Sequence, residues 1–549
     1  MKKTALLLLA AASLTAADYA AEGQLWWAHI QFLADDKLEG RNTGTEGYRQ
    51  AVRYVAGQFE AFGLKPGGVS SPGGVSSYEQ PVKFETRTLV EAESGLALLR
   101  DGQTEMLQLA RPNADAQLNA RGEAAAITAP MVFVGYGLVI PEAKYDDLAG
   151  LDLKGKVAVY VNAPGPVAAS GNLKSHYSSG VERWAAFRKA GALGIGIIAN
   201  PRVALPDGDA AGRGAGRGAG RGAGQPPAAQ PVVNLFDADL RDTAGQKVAV
   251  AITRTGGEKF FAGSGHTFES VIRAAAANEP LAGFPLAALL QAKTTVAGGT
   301  LEAPNVVGVL PGSDPKLKGE YVVFSAHLDH LGTGRAVNGD SLYNGAMDNA
   351  SGVASVLEVA RLFKETGVKP KRSIIFVTVT GEEKGELGSR YFASRPTVPF
   401  EKIIADINLD MFLPLYELKV LEVQGLAEST LGDVIRAAAK DAGVEVQTDR
   451  EPEQNRFIRS DQYSFIRRGV PSLAFKFGYE FGSPEEKIRT EWVRTIYHKP
   501  ADDLNQPVDK ASAARFNRII FELLQRVANA AERPQWKPNS FFRRFAKPD

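Results

Sequence analysis

The stretch SIIFVTVTGEEKGELGS, Ser373 to Ser389, drives an apolar run straight into two adjacent glutamates. Ser373–Val379 reads as a buried strand, and it leads through Thr380 and Gly381 into Glu382 and Glu383. Two carboxylates held side by side at the end of a core strand repel each other unless a cation or a proton intervenes. Neighbouring strand residues face opposite sides, so both glutamates reach one site only if the chain turns there, and Gly381 permits the turn. The question passed to the rest of the chain is where the cation comes from.

Around this strand, from about Pro285 onward, strand and helix patterns alternate as in an α/β domain. Strands are expected at Asn305–Leu310, Tyr321–Ala326, Ile403–Met411, Leu418–Val423 and Pro471–Phe477. Helices are expected at Ser351–Glu365, Thr430–Ala442 and Lys510–Ala530. In the first of these, Val353, Val356, Leu357, Ala360 and Phe363 make one apolar face.

Open α/β sheets bind ligands at the carboxyl ends of their strands. His327-Leu328-Asp329-His330 follows the Tyr321 strand, and Asp410 lies near the end of the Ile403 strand. Asp348 stands at the start of the Ser351 helix, and His498 falls in Tyr497-His498-Lys499-Pro500. Each alone has a bland reading; Asp348, for example, suits a helix N-cap on hydrogen-bonding grounds. Together they place imidazoles and carboxylates around one sheet, a donor set suited to zinc and also to Mn or Co. His327 and His498 with three or more carboxylates are too many for one tetrahedral zinc. They fit two ions sharing a bridging carboxylate, with a nearby carboxylate as general base.

The chain of 549 residues is too long for one core of ordinary size. Its 63 basic and 62 acidic residues nearly cancel, so nothing global points to nucleic acid. Lys2-Lys3, an apolar run from Thr4 to Leu14 and small residues at Thr15-Ala16-Ala17 read as a signal peptide over residues 1–17. No stretch is long enough to predict a transmembrane helix. The absence of cysteine excludes disulfides and thiolate ligands, and stability must come from packing or metal. These features predict export to the periplasm or the extracellular space of a bacterium.

Residues 18–119 read as a mainly helical N-terminal segment of the catalytic domain. Residues 120–265 read as a small, mostly β insert with short apolar runs such as Val157–Val161 and Val248–Ile252. Inside it lies GRGAGRGAGRGAG, Gly212–Gly224, a low-complexity loop. The catalytic domain is expected over 285–535, followed by a tail over 536–549.

SAHLDHLG (Ser325–Gly332), GAMDNASGV (Gly345–Val353), TGEEKGELGS (Thr380–Ser389), INLDM (Ile407–Met411) and YHKPADDL (Tyr497–Leu504) resemble the motifs of the co-catalytic di-zinc aminopeptidases. This leucine-aminopeptidase-like group of zinc exopeptidases also includes glutamate carboxypeptidases and glutaminyl cyclases. Asp36–Pro66 is similar to the N-terminal segment of its bacterial multidomain members. DLKGKVAVYVN and AFRKAGALGIGIIAN resemble parts of their protease-associated insert.

The resemblance implies an α/β zinc-exopeptidase domain, with a mixed central sheet flanked by helices, plus that mostly β insert. It implies two Zn2+ ions, with His327 and Asp410 on one, Glu383 and His498 on the other and Asp348 bridging. Glu382 would be the general base, Asp329 would hydrogen-bond His327, and Asp502 would give further support. The Asp348–Asn349 peptide would be cis, and Tyr497 is a candidate oxyanion donor. The implied activity is removal of N-terminal residues from peptide substrates. Glutaminyl-cyclase-like acyl transfer, carboxypeptidase or dipeptidase action, and a non-catalytic binding role are the alternatives. Gln462 stands where relatives often carry histidine, a change expected on the substrate side. Nearby Arg456 and Arg459 are candidate anchors for a substrate carboxylate.

Overall fold

Side chains of the strand Tyr321–His327 alternate between two apolar layers. Val322, Phe324 and Ala326 enter one, and Val323 enters the other. Ser373–Val379 does the same, with Ile374 and Phe376 on one side and Ile375, Val377 and Val379 on the other. Both strands are therefore buried on both faces, which explains their nearly unbroken apolar sequence. The computed structural model describes residues 18–69, 76–109, 114–202 and 231–546. The expected signal peptide, residues 1–17, and the Gly/Arg/Ala stretch, 212–224, lie outside them.

The two strands sit in a nine-stranded mixed sheet. Its order is Lys65–Pro66, Asn305–Leu310, Ser373–Val379, Tyr321–His327, Ile403–Leu409, Ser472–Phe477, Val420–Gln424 and Glu445–Gln447, with Glu79–Gln80 also paired to Asn305–Leu310. Tyr321–His327 runs parallel to both its neighbours. The register sets His327 beside Val379 and Ala326 beside Leu409, so the three strands finish level. Whatever follows each strand emerges along one edge.

Helices Tyr19–Leu33, Ser351–Thr366 and Lys510–Asn529 pack together over one face. Trp26 is fully buried there, and its indole N–H donates to Ser351 O at 3.1 Å and Ser355 Oγ at 3.0 Å. The N-terminal helix is thus part of the catalytic core. The opposite face is covered by Phe392 and Phe465 from the short helices Leu387–Ser394 and Gln462–Ile466.

The insert is built on a separate eight-stranded sheet. Val157–Val161, Gly194–Ile198 and Val248–Ile252 form its parallel centre, as their apolar runs predicted. The expected limits, 120–265, are too narrow, because Gly95–Arg100 and Phe284–Thr294 also belong to this sheet. These outer strands are antiparallel, and in Phe284–Thr294 burial alternates residue by residue. They carry apolar runs of their own, Leu96–Leu99 and Phe284–Leu290, which lie outside the expected limits. Lys83–Leu89 and Val296–Glu302 pair antiparallel where the chain leaves and re-enters the catalytic domain.

The expected tail does not hang free over its described part. Trp536 and Phe542 are buried with Phe457 and Tyr463, and the Trp536 indole donates to Gly469 O at 2.9 Å. No helix among the described residues is long and apolar enough to cross a membrane.

Candidate metal centre

The level edge of the three parallel strands collects the expected residues. His327 ends its strand, Asp410 follows Leu409 directly, and Glu382 and Glu383 follow Gly381. Gly381 has φ 65°, the left-handed conformation that turns the chain and brings both glutamates inward. Asp348 arrives from the turn Ala346–Ala350 ahead of the Ser351 helix, and the Asp348–Asn349 peptide is cis. Asn349 ties this turn to the Asp410 strand end. Its amide donates to Leu409 O at 2.8 Å, and its Oδ1 accepts from Met411 N at 3.2 Å. His498 follows the helix Pro484–Thr495, its ring stacked on Tyr497 at 3.9 Å.

The two oxygens of Asp348 face different partners. Oδ1 lies 3.3 Å from His327 Nε2, which is itself 3.6 Å from Asp410 Oδ1. Oδ2 lies 3.0 Å from His498 Nε2, which is 3.3 Å from Glu383 Oε2. Two donor sets thus share one carboxylate. All five side chains are buried, with at most 6% of any side chain's surface exposed. His327 Nε2, His498 Nε2 and both Asp348 oxygens carry no hydrogen bond of acceptable geometry. Buried polar atoms are normally satisfied, so four converging exceptions point to an ion.

Supporting contacts aim the ligands. His327 Nδ1 lies 3.1 Å from the main-chain oxygen of Asp329, an acceptor only. A neutral ring therefore carries its proton on Nδ1 and turns its Nε2 lone pair toward Asp348 and Asp410. The expected hydrogen bond between Asp329 and His327 is made by the Asp329 main chain, which leaves its carboxylate for other partners. That carboxylate accepts from Glu382 N at 3.1 Å, Glu383 N at 3.3 Å and Thr43 Oγ1 at 3.0 Å. It shapes the glutamate turn, while its own backbone orients the histidine. Asp502 accepts from Met347 N at 2.8 Å and Asp348 N at 2.9 Å, holding Asp348 from behind. Ser460 Oγ donates to Asp410 Oδ2 at 2.6 Å.

The electrostatics describe a site short of positive charge. Burial opposes protonation of His498, but the Glu383 and Asp348 charges outweigh it and raise the imidazole to about 10. His327 is raised well above its ordinary value in the same way, burial opposing and Glu382, Asp348 and Asp410 prevailing. Burial raises Asp348 and Glu383, yet the facing imidazoles pull both below the usual carboxylate range. Protons on the imidazoles take the place of missing cationic charge.

Several residues at the site were not singled out in sequence. His330 is buried with Nδ1 3.0 Å from Glu383 Oε1, and Asp348, Glu383 and His330 form a second possible ligand group. Its signal was its place in the run His327 to His330. Lys476 Nζ donates to Asp410 O at 2.6 Å, and Arg41 reaches in from the N-terminal segment. Gln462 does not face the substrate side. It is fully buried, accepting from Asn408 Nδ2 at 2.8 Å and donating to Phe457 O at 3.0 Å. Arg456 pairs with Glu451 at 2.8 Å, and Arg459 donates to Gln454 O at 3.1 Å. Both arginines are engaged within their own loop.

Compared with known proteins, residues 305–524 match Peptidase family M28. Leupeptin-inactivating enzyme 1 of Streptomyces exfoliatus is 27% identical over 228 residues, 40% of this chain and 47% of that protein. A probable leucine aminopeptidase 2 of Aspergillus oryzae is 29% identical over 194 residues, 34% of this chain and 36% of its own. The chain spans about half or less of the length of these curated relatives. An aminopeptidase from Aneurinibacillus sp. strain AM-1 shares the fold, with a TM-score of 0.52 at 21% identity over 93% of this chain and 95% of that one. The domain that carries both donor sets, residues 305–524, is a Peptidase family M28 domain.

Proposed function

We propose that the protein is a zinc-dependent exopeptidase that removes N-terminal residues from peptides. The observation that carries this reading is the division of Asp348, one oxygen to His327 and Asp410, the other to His498 and Glu383. In it, His327 and Asp410 would hold one Zn2+, Glu383 and His498 would hold the second, and Asp348 would serve both. Two bound zinc ions supply Lewis-acid polarisation of the scissile carbonyl and acidify the attacking water. Glu382 receives the proton of that water and delivers it to the departing amine. Its backbone N–H is fixed by Asp329 Oδ1, so the carboxylate is held while the proton moves. Buried at 3% exposure, Glu382 exchanges that proton with little competition from bulk water.

The insert supports the same reading as a protease-associated domain bordering the substrate entrance. His176 Nδ1 lies 2.5 Å from Tyr463 Oη, on the helix Gln462–Ile466 that follows Ser460. Carboxypeptidase action is not favoured, since Arg456 and Arg459 are already engaged. Residues 1–17 support export as a signal peptide.

The test uses the chain from Asp18 with zinc, a mixed peptide library and an N-acetylated copy, read by mass spectrometry. Stepwise loss of N-terminal residues from the free library alone is the expected result. Loss from C-termini, or equal loss from both libraries, would overturn the aminopeptidase reading.

A further inference from the structure

The segment Asp36–Thr43 lies outside the region that matches the family, yet it closes around the metal centre. Its backbone is unusual: Glu39, Gly40 and Arg41 all have positive φ, at 49°, 66° and 48°. A Cβ on Gly40 would meet Tyr343 O at 2.2 Å, so the segment is pressed against the hairpin leading to Asp348. Asn344 Nδ2 answers from that hairpin, donating to Ala34 O at 3.0 Å and Asp36 Oδ1 at 2.8 Å.

Arg41 occupies the space between the two ligand loops and is 1% exposed. Nε donates to Leu328 O at 3.0 Å, between His327 and Asp329. Nη1 donates to Asn344 O at 2.7 Å and to Leu33 O, and Nη2 to Gly345 O at 3.0 Å, three residues before Asp348. The Arg41 carbonyl accepts from His330 N at 3.2 Å. These side-chain bonds all go to carbonyls, and among the described residues no carboxylate forms a salt bridge with it. The negative charges acting on it are those of Asp502, Asp329, Asp348 and Glu383, all groups of the centre.

A buried guanidinium is expensive unless its charge is used. We infer that Arg41 is the positioning residue of the metal centre: its planar fork locks the His327 and Asp348 loops at one spacing, and its charge lies behind their carboxylates. A lysine has the charge but gathers its donors on one nitrogen and cannot span three loops. Thr43, through Asp329, is the lesser arm of the same strap. The inference rests on the two-zinc reading.

The test is a zinc titration of the metal-free protein against a chromophoric chelator, for wild type, Arg41→Lys, Arg41→Met and Thr43→Val. Circular dichroism and thermal melts report the fold, and kcat and KM are measured on the zinc-loaded forms. Wild type should bind two zinc ions. Arg41→Met should lose affinity by about 10–100-fold, the range for removing a partner that orients a ligand. Arg41→Lys should recover part of that loss, and Thr43→Val should lose least. In the loaded forms kcat should fall with KM little changed. A folded Arg41→Met with wild-type affinity would overturn the inference while leaving the centre intact. If that variant does not fold, Arg41→Lys decides, and unchanged affinity there overturns the inference. A wild type that binds fewer than two zinc ions would refute the two-zinc reading itself, and the inference with it.

Discussion

Two parallel strand sets in this chain end very differently. In the catalytic sheet, Tyr321–His327, Ser373–Val379 and Ile403–Leu409 deliver His327, the Glu382–Glu383 turn and Asp410 along one edge. In the insert, Val157–Val161, Gly194–Ile198 and Val248–Ile252 are equally apolar and also parallel, but lead into Asn162, Ala199-Asn200 and Thr253. Among the described residues, every group able to hold a metal lies in the catalytic domain. The same architecture therefore provides an edge in both places, and chemistry appears only where separate loops bring Asp348 and His498 to it. The insert's edge is instead occupied with docking, through His176 on Tyr463, Asn172 on Glu428 at 3.3 Å and Glu182 on Arg467 at 2.8 Å.

The sharpest way to break this contrast is Glu382→Gln. Removing the proton acceptor should lower kcat by about 10²–10⁴-fold while zinc content stays at the wild-type level. Steady-state kinetics with metal analysis checks both halves, and unchanged kcat would remove Glu382 from its role. Asp348→Asn comes next. Because both donor sets use this residue, zinc affinity should fall by more than the roughly 10–100-fold that losing an outer hydrogen-bond partner costs. Chelator competition reads this directly, and loss of one zinc with the other held at full strength would contradict a shared bridge.

The pH dependence of the metal-free protein tests the electrostatics. His498, raised to about 10 in the fold, contributes stability that is complete below its ordinary 6.5 and is lost as pH climbs toward 10. Asp348 and Glu383, depressed below 3.8 and 4.5, contribute stability present above those values and lost as acid protonates them. Denaturation of the metal-free chain should therefore show a plateau between these limits, falling on both sides. Zinc must displace the imidazole protons, so its affinity should rise with pH over the upper limb. A flat stability profile from pH 6.5 to 10 would show the imidazoles to be ordinary.

The smallest effect is expected in the insert. His176→Phe removes one buried hydrogen bond to Tyr463 and should cost about 1–3 kcal/mol of stability, with zinc affinity unchanged. Thermal melts and chelator titration together check it. A fall in zinc affinity as large as that of Asp348→Asn would erase the distinction between the two regions.

Much of the catalytic sheet was legible because its strands are buried on both faces and the helices keep one apolar stripe. The residues gathered at the candidate site were legible because their types are out of place at the ends of apolar strands. What stayed hidden depends on distance in sequence. Arg41 acts on Leu328, 287 positions away, and no local pattern marks that pairing. His330 sat in view beside Asp329, but nothing local says that its ring turns toward Glu383. Gln462 was expected on the substrate side from the resemblance; Asn408 and Phe457 hold its amide in the core, and those partners lie 54 and 5 positions away. The insert extends past its expected limits at both ends because Gly95–Arg100 and Phe284–Thr294 pair with each other from far apart in sequence, and an apolar run does not say which sheet it joins.

The shared Asp348 is the central claim, and anomalous diffraction at the zinc edge from zinc-loaded crystals tests it most directly. The account predicts two peaks about 3.5–4 Å apart, one beside His327 and Asp410, the other beside Glu383 and His498, with one Asp348 oxygen on each. A single peak, or two peaks that Asp348 does not join, would contradict it.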